Sequence, residues 1–170
     1  MSSRATSWEP CSSATRWGRS LRCGATRGLA LLDRSGLETA LTTVLLDTHV
    51  APWWSAEPQR VSARATRALE EADELAVCAI SWFELAWLAR HERIRVATPV
   101  RSWLEALTRQ LRSALITPAI AETAVALPYS FPGDPADRLI YATAIEYGWP
   151  LITKDVSLRR HRHPGAVAVW

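Results

Sequence analysis

From Val44 onward the chain alternates short apolar runs with segments of helical periodicity. Val44-Leu45-Leu46 is stopped by Asp47-Thr48, the pattern of a strand buried on both faces. Trp53 and Trp54 fall on a short predicted helix, and the polar segment Ser62 to Glu74 has helical composition. Leu75 to Ile80 predicts a second buried strand. Ser81 then opens a helix through Trp82, Leu85, Ala86 and Leu88 to about Arg90. Pro99 leads a helix with Trp103, Leu104, Leu107 and Leu111 on one face. Leu115-Ile116-Thr117 reads as a brief strand, and Pro118 opens a helix that ends near Leu127. After a loop over Tyr129 to Gly133, Asp134-Pro135 begins a helix through Leu139, Ile140, Ala144 and Ile145, which Gly148 terminates. Leu151-Ile152-Thr153 and Ala166 to Val169 supply the last two strands. Alternating strands and helices predict an α/β fold, three layers deep, with a parallel central sheet and helices on both faces.

Residues 1–43 break this regularity. They are rich in Ser, Thr, Arg and Gly, show no sustained period, and hold only isolated aromatics in Trp8 and Trp17. A poorly structured extension is expected there, with the domain proper over 44–170. A second expectation is a wrongly assigned start, with Val44 as the true initiator. The length of 170 residues suits one domain. With 48% hydrophobic and 22% charged residues, the composition is that of a globular protein with a full core. No apolar run reaches the eighteen or so residues a membrane-crossing helix needs, so no membrane partner is expected. The three cysteines show neither metal-ligand nor disulfide spacing; Cys78 reads as a small buried hydrophobe, and a reducing, cytoplasmic setting fits.

The formal charge of +3 sits entirely in the extension, where six arginines face three acids. Over 44–170 fourteen basic and fourteen acidic residues cancel, so bulk charge makes no case for nucleic acid. Placement of the acids is more informative. Asp47 directly follows the first strand, and Asp155 follows the strand Leu151 to Thr153. Glu84 lies in the first turn of the helix after the second strand, and Asp137 in the first turn of the helix opened by Asp134-Pro135. In an open parallel sheet the carboxyl ends of the strands share one edge, where ligands bind. Three or four of these carboxylates are therefore expected to converge on one crevice. Gathered carboxylates repel one another unless a cation sits among them. An all-oxygen donor set favours Mg²⁺ or Mn²⁺ over Zn²⁺, and such an ion can activate water against a phosphodiester.

Each acid also has a purely local reading. Ser81-Trp82-Phe83-Glu84 has the form of an S-x-x-E capping box, in which Glu84 satisfies a backbone donor. Asp134 and Asp137 suit an N-cap and a first-turn acid, and Asp155 suits the cap of a short helix through Val156, Ser157 and Leu158. Asp47 has no such role.

Four strings occur in order: Leu45-Leu46-Asp47-Thr48-His49, Ala79-Ile80-Ser81-Trp82-Phe83-Glu84-Leu85, Gly133-Asp134-Pro135-Ala136-Asp137-Arg138-Leu139-Ile140 and Leu151-Ile152-Thr153-Lys154-Asp155. With this spacing, residues 44–170 resemble the PIN-domain ribonucleases, specifically the VapC toxins of bacterial type II toxin–antitoxin systems. The resemblance implies a Mg²⁺-dependent endoribonuclease that hydrolyses RNA with metal-activated water, dimerises with itself and is silenced by a VapB-like antitoxin. Carried over position by position, it makes Asp47, Glu84, Asp137 and Asp155 the catalytic and metal-binding acids. Asp134 is a neighbouring acid, and Thr48 and Thr153 are auxiliary residues for orienting water.

The basic run Arg159-Arg160-His161-Arg162-His163 is a candidate phosphate contact, or else a solvated face. Lys154 reads as a surface lysine, and the four histidines show no metal-site spacing. Of Trp82 and Trp87, at least one should face outward. Two other α/β modules are disfavoured: a phosphoacceptor receiver, because Leu75 to Ser81 ends without Asp, and a D-x-D phosphatase, because Thr48-His49 follows Asp47. A housekeeping RNA-processing nuclease and a non-catalytic binding module on the same fold stay open.

Overall fold

The computed structural model describes residues 41–170. The extension and the alternative start concern residues that lie, but for the last few, outside the described ones.

Five parallel strands form the sheet: β1 (Thr43–Leu46), β2 (Glu74–Cys78), β3 (Arg112–Ala114), β4 (Leu151–Ile152) and β5 (Ala168–Val169). Their order is β3-β2-β1-β4-β5. The chain thus builds outward from β1 to one edge and then returns to its other side. The strand order reverses between β1 and β4, the position at which open α/β sheets bind ligands. Seven helices connect the strands: α1 (Val50–Ala56), α2 (Ala63–Glu70), α3 (Ala79–Arg90), α4 (Val100–Thr108), α5 (Pro118–Ala126), α6 (Pro135–Tyr147) and α7 (Val156–Arg160), with a 3-10 turn over Pro58–Arg60.

Side-chain alternation along each strand divides the core in two. Val44, Leu46, Val77 and Ile152 face one cluster with Ala65 and Leu69 of α2, Leu85 of α3 and Leu107 of α4. Leu45, Ala76, Cys78 and Leu151 face the other, with Ile140, Tyr141 and Ala144 of α6 and Leu158 of α7. Both faces of the sheet are therefore dry, which is why β1 and β4 are continuous apolar runs rather than alternating ones. Helix α5 packs Ile120 and Ala124 on Ala142 of α6. Arg138 of α6 fastens the pair by donating to the carbonyls of Ala124 (2.9 Å) and Leu127 (2.5 Å).

Several boundaries differ from expectation: Glu74 opens β2 instead of closing the helical segment, Leu111 lies beyond the end of α4, and the last strand is Ala168–Val169. The third strand is Arg112–Ala114, not Leu115 to Thr117, and Leu115 and Ile116 are exposed. An edge strand needs only one inward residue, here Ala114, and is held by backbone pairing to Ala76–Cys78 and by the Arg112–Glu74 ion pair at 2.7 Å. The second strand ends at Cys78, so Ala79 and Ile80 already belong to α3. Gly148 ends α6 in the left-handed conformation (φ 65°), as expected of a helix-terminating glycine.

Candidate active site

Asp47 leaves the end of β1 with its amide bonded to the Ile152 carbonyl of β4 at 3.0 Å. Its side chain is buried, 6% exposed, and accepts a 2.6 Å hydrogen bond from the Thr153 hydroxyl. That hydroxyl in turn accepts the Asp155 amide at 3.0 Å, so one oxygen ties the ends of β1 and β4 together. Burial raises the Asp47 pKa above its ordinary 3.8, and the charge of Asp155 adds to the rise. The Thr153 hydrogen bond and the charge of His49 pull it back.

Glu84 lies one and a half turns into α3. Its local reading as a capping-box partner of Ser81 is overturned, because α3 begins at Ala79 and Ser81 is already inside the helix. Ser81 is buried and pairs instead with Thr48 at 2.9 Å. The Thr48 hydroxyl donates to Glu84 Oε2 at 2.7 Å. A tertiary contact from the end of β1 thus takes the place of the cap. Burial raises the Glu84 pKa, and the charges of Asp47 and Asp134 raise it further against the Thr48 hydrogen bond and His49.

Asp137 projects from the first turn of α6 and is half-buried. Its pKa is pushed up from 3.8 to about 7, by burial first and then by the charges of Asp47, Asp134, Asp155 and Glu84. Every influence on this group has the same sign. The five acids are therefore near enough to feel one another, and among the described residues no donor or cation relieves Asp137.

Asp134 and Asp155 play the local parts the sequence allowed them. Asp134 is exposed and caps α6, accepting the Ala136 amide at 2.8 Å. Asp155 caps α7, accepting the amides of Ser157 (2.6 Å) and Leu158 (3.2 Å) with one oxygen. Its second oxygen takes no part in that cap. Among the described residues no three His, Cys, Asp or Glu side chains already stand in a coordinating array. An ion would have to draw the carboxylates inward. The donor set fits a hard divalent cation: oxygen only, desolvated and mutually repelling.

Thr48 and Thr153 spend their hydroxyls on Glu84 and Asp47, so both hold the acids in place. His49, to which the spacing of histidines assigned nothing, acts electrostatically to lower the pKa of Asp47 and Glu84. The signal available for it was only its place in the Asp47-Thr48-His49 string. Lys154 lies over the Trp53 ring at 5.6 Å. Arg159, Arg160 and Arg162 are exposed around the far end of α7. Trp82 turns inward and donates its indole N–H to Ser113 Oγ at 2.7 Å, and Trp87 faces outward.

Residues 44–164 match the PIN domain family. The chain belongs to that family. This PIN domain is 70% identical over 130 residues to Ribonuclease VapC22 of Mycobacterium tuberculosis (strain ATCC 25618 / H37Rv), spanning 76% of this chain and all of that protein. Among solved structures it is similar to a toxin-antitoxin complex from Klebsiella pneumoniae, with 26% identity and a TM-score of 0.54 over 73% of this chain and 95% of that one. It shares its fold with VapBC2 from Rickettsia felis, bound to a DNA fragment from their promoter, at 16% identity and a TM-score of 0.56 over 75% of this chain and 97% of that one. The PIN domain is thus of the VapC kind.

Proposed function

We propose that this PIN domain is a Mg²⁺-dependent endoribonuclease, the toxin of a type II toxin–antitoxin pair, which hydrolyses RNA phosphodiester bonds with water. The observation that carries the reading is Asp137, half-buried among four other acids and pushed to about 7 with nothing to offset them. A group so unfavourably placed for folding alone is understandable where a cation is to be held. Identity of 70% over 130 residues to a ribonuclease of the VapC group supports the activity itself.

Asp47 and Asp137 would hold the ion directly, with Glu84 and Asp155 acting through water or toward a second ion. Bound there, Mg²⁺ (or Mn²⁺) supplies charge to neutralise the phosphodiester and to acidify the attacking water. Thr153 and Thr48 fix the rotamers of Asp47 and Glu84, so the acids are aimed before substrate arrives. His49 partly opposes the rise that burial imposes on the proton affinity of those same two carboxylates. Burial of Asp47 limits the water that competes for its oxygens. Arg159, Arg160 and Arg162 are exposed cations available to contact RNA phosphates. By likeness to a toxin-antitoxin complex, a VapB-type antitoxin is the protein partner in this reading, and the homodimer expected from the family resemblance is its working form.

The test is incubation of the purified protein with total RNA, in Mg²⁺ and in EDTA, alongside Asp47→Asn. Cleavage confined to wild type with Mg²⁺ supports the reading. Equal cleavage by Asp47→Asn, or in EDTA, ends it.

A further inference from the structure

Helix α3 is apolar nearly all round, and among the described residues no element covers one of its faces. Phe83 is 66% exposed and Trp87 46%, one turn apart and hence neighbours on that face. They form a ridge between two hollows. The first, about 380 Å³, is floored by Ile80, Phe83, Trp87 and Pro135, and its wall includes Glu84 and Asp134. The second, about 370 Å³, lies on the other side of the ridge and is lined by Arg90 and His91. Trp87 stacks one face on the His91 ring, with centroids 4.1 Å apart and planes at 26°, which fixes the plane of the indole. Arg90 is exposed and makes no ion pair among the described residues.

We propose that the first hollow is a nucleobase subsite, in which an unpaired base beside the cut phosphate stacks on the Phe83–Trp87 ridge. The inference rests on the ribonuclease reading and adds to it how the RNA is held. Continuity is the first argument, because Glu84 belongs to both the acidic group and the wall of the hollow. Whatever occupies the hollow therefore touches the reacting centre, as the flanking nucleotide of a substrate must. Chemistry is the second. Acids for a cation and its phosphate, then an aromatic floor, then a free guanidinium reproduce the phosphate, base, phosphate alternation of a single strand. An apolar partner helix laid here would bury the Glu84 and Asp134 carboxylates against hydrocarbon.

The experiment starts from a fluorescent single-stranded oligoribonucleotide that wild type cleaves in Mg²⁺. Its affinity for the full-length Asp47→Asn protein is read by anisotropy, with the intact oligonucleotide and with versions abasic on either side of the cut. One of the two abasic versions should bind about tenfold more weakly. Trp87→Ala on the Asp47→Asn background should lose a similar factor with the intact RNA, and no more when combined with that abasic version. Phe83→Ala is the second variant, and Trp87→Phe should restore most of the affinity. Undiminished binding of both abasic RNAs overturns the proposal, as do losses that multiply. A changed elution volume of Trp87→Ala with unchanged RNA affinity overturns it too, in favour of a protein contact. If wild type cleaves no RNA at all, the ribonuclease reading fails first, and that result is distinct from cleavage with no base dependence.

Discussion

Replacing Asp137 with Asn should make the metal-free protein more stable at neutral pH and leave it almost unchanged in acid. The Asp137 carboxyl has its pKa raised in the folded state from 3.8 to about 7. Below the unfolded value both states hold the proton, and the group costs nothing. Between about 4 and 7 the unfolded chain releases the proton and the folded chain keeps it, so stability falls as pH rises through that window and levels off above it. At about 1.4 kcal/mol per tenfold change in proton affinity, the full rise corresponds to about 4 kcal/mol. Asp137 is only half-buried, and solvent screening reduces this to about 2 kcal/mol. Asparagine has the shape of the protonated acid and no charge, so it removes this part of the slope. For a described domain of this size the difference amounts to about 6 °C in Tm. Thermal unfolding in EDTA at pH 4.5 and 7.5 measures it: the two proteins should melt together in acid and separate at pH 7.5, with the variant higher. Mg²⁺ at pH 7.5 should raise wild type and leave Asp137→Asn nearly unmoved. Parallel pH profiles for the two proteins would show that the neighbouring acids do not act on Asp137, and the cation-site reasoning would fail with them.

Thr153→Val removes the hydrogen bond to Asp47 and should lower cleavage about tenfold to a hundredfold, with Thr153→Ser retaining most of it; equal rates for all three would remove Thr153 from the site. Arg159→Ala combined with Arg162→Ala should flatten the dependence of log RNA affinity on log salt by up to about 1.4, at about 0.7 per phosphate contact. An unchanged slope would leave that end of α7 a solvated face. Leu45 is fully buried between β1 and α6, so Leu45→Ala should cost about 3 kcal/mol and about 10 °C in a melting curve.

The central strands were legible because burial on both faces writes itself as an unbroken apolar run, as at Val44-Leu45-Leu46 and Leu151-Ile152. The placing of Asp47 and Asp155 on one side was legible for a related reason: a parallel sheet brings strand ends to one edge, and these acids follow β1 and β4. Edge strand β3 was not, because pairing with β2 and one buried alanine define it, and neither is a pattern in hydrophobicity. Ser81 and Glu84 were ambiguous locally. A capping box and a pair of contacts to Thr48 have the same four letters, and only the packing of α3 beside β1 decides between them. The hollow beside Phe83 and Trp87 was hidden for the opposite reason. Helix α3 offers apolar residues in every direction, so no period distinguishes the buried face from the open one.

One hydroxyl carries a consequence for timing in the cell. Asp47 is aimed by Thr153, more than a hundred residues later in the chain, and only when β4 has docked beside β1. During synthesis Asp47 is therefore made early and held last. Fragments broken off before Thr153, and chains still emerging, would lack the hydrogen bond that holds it, so the proposed site is completed only when the domain is nearly complete.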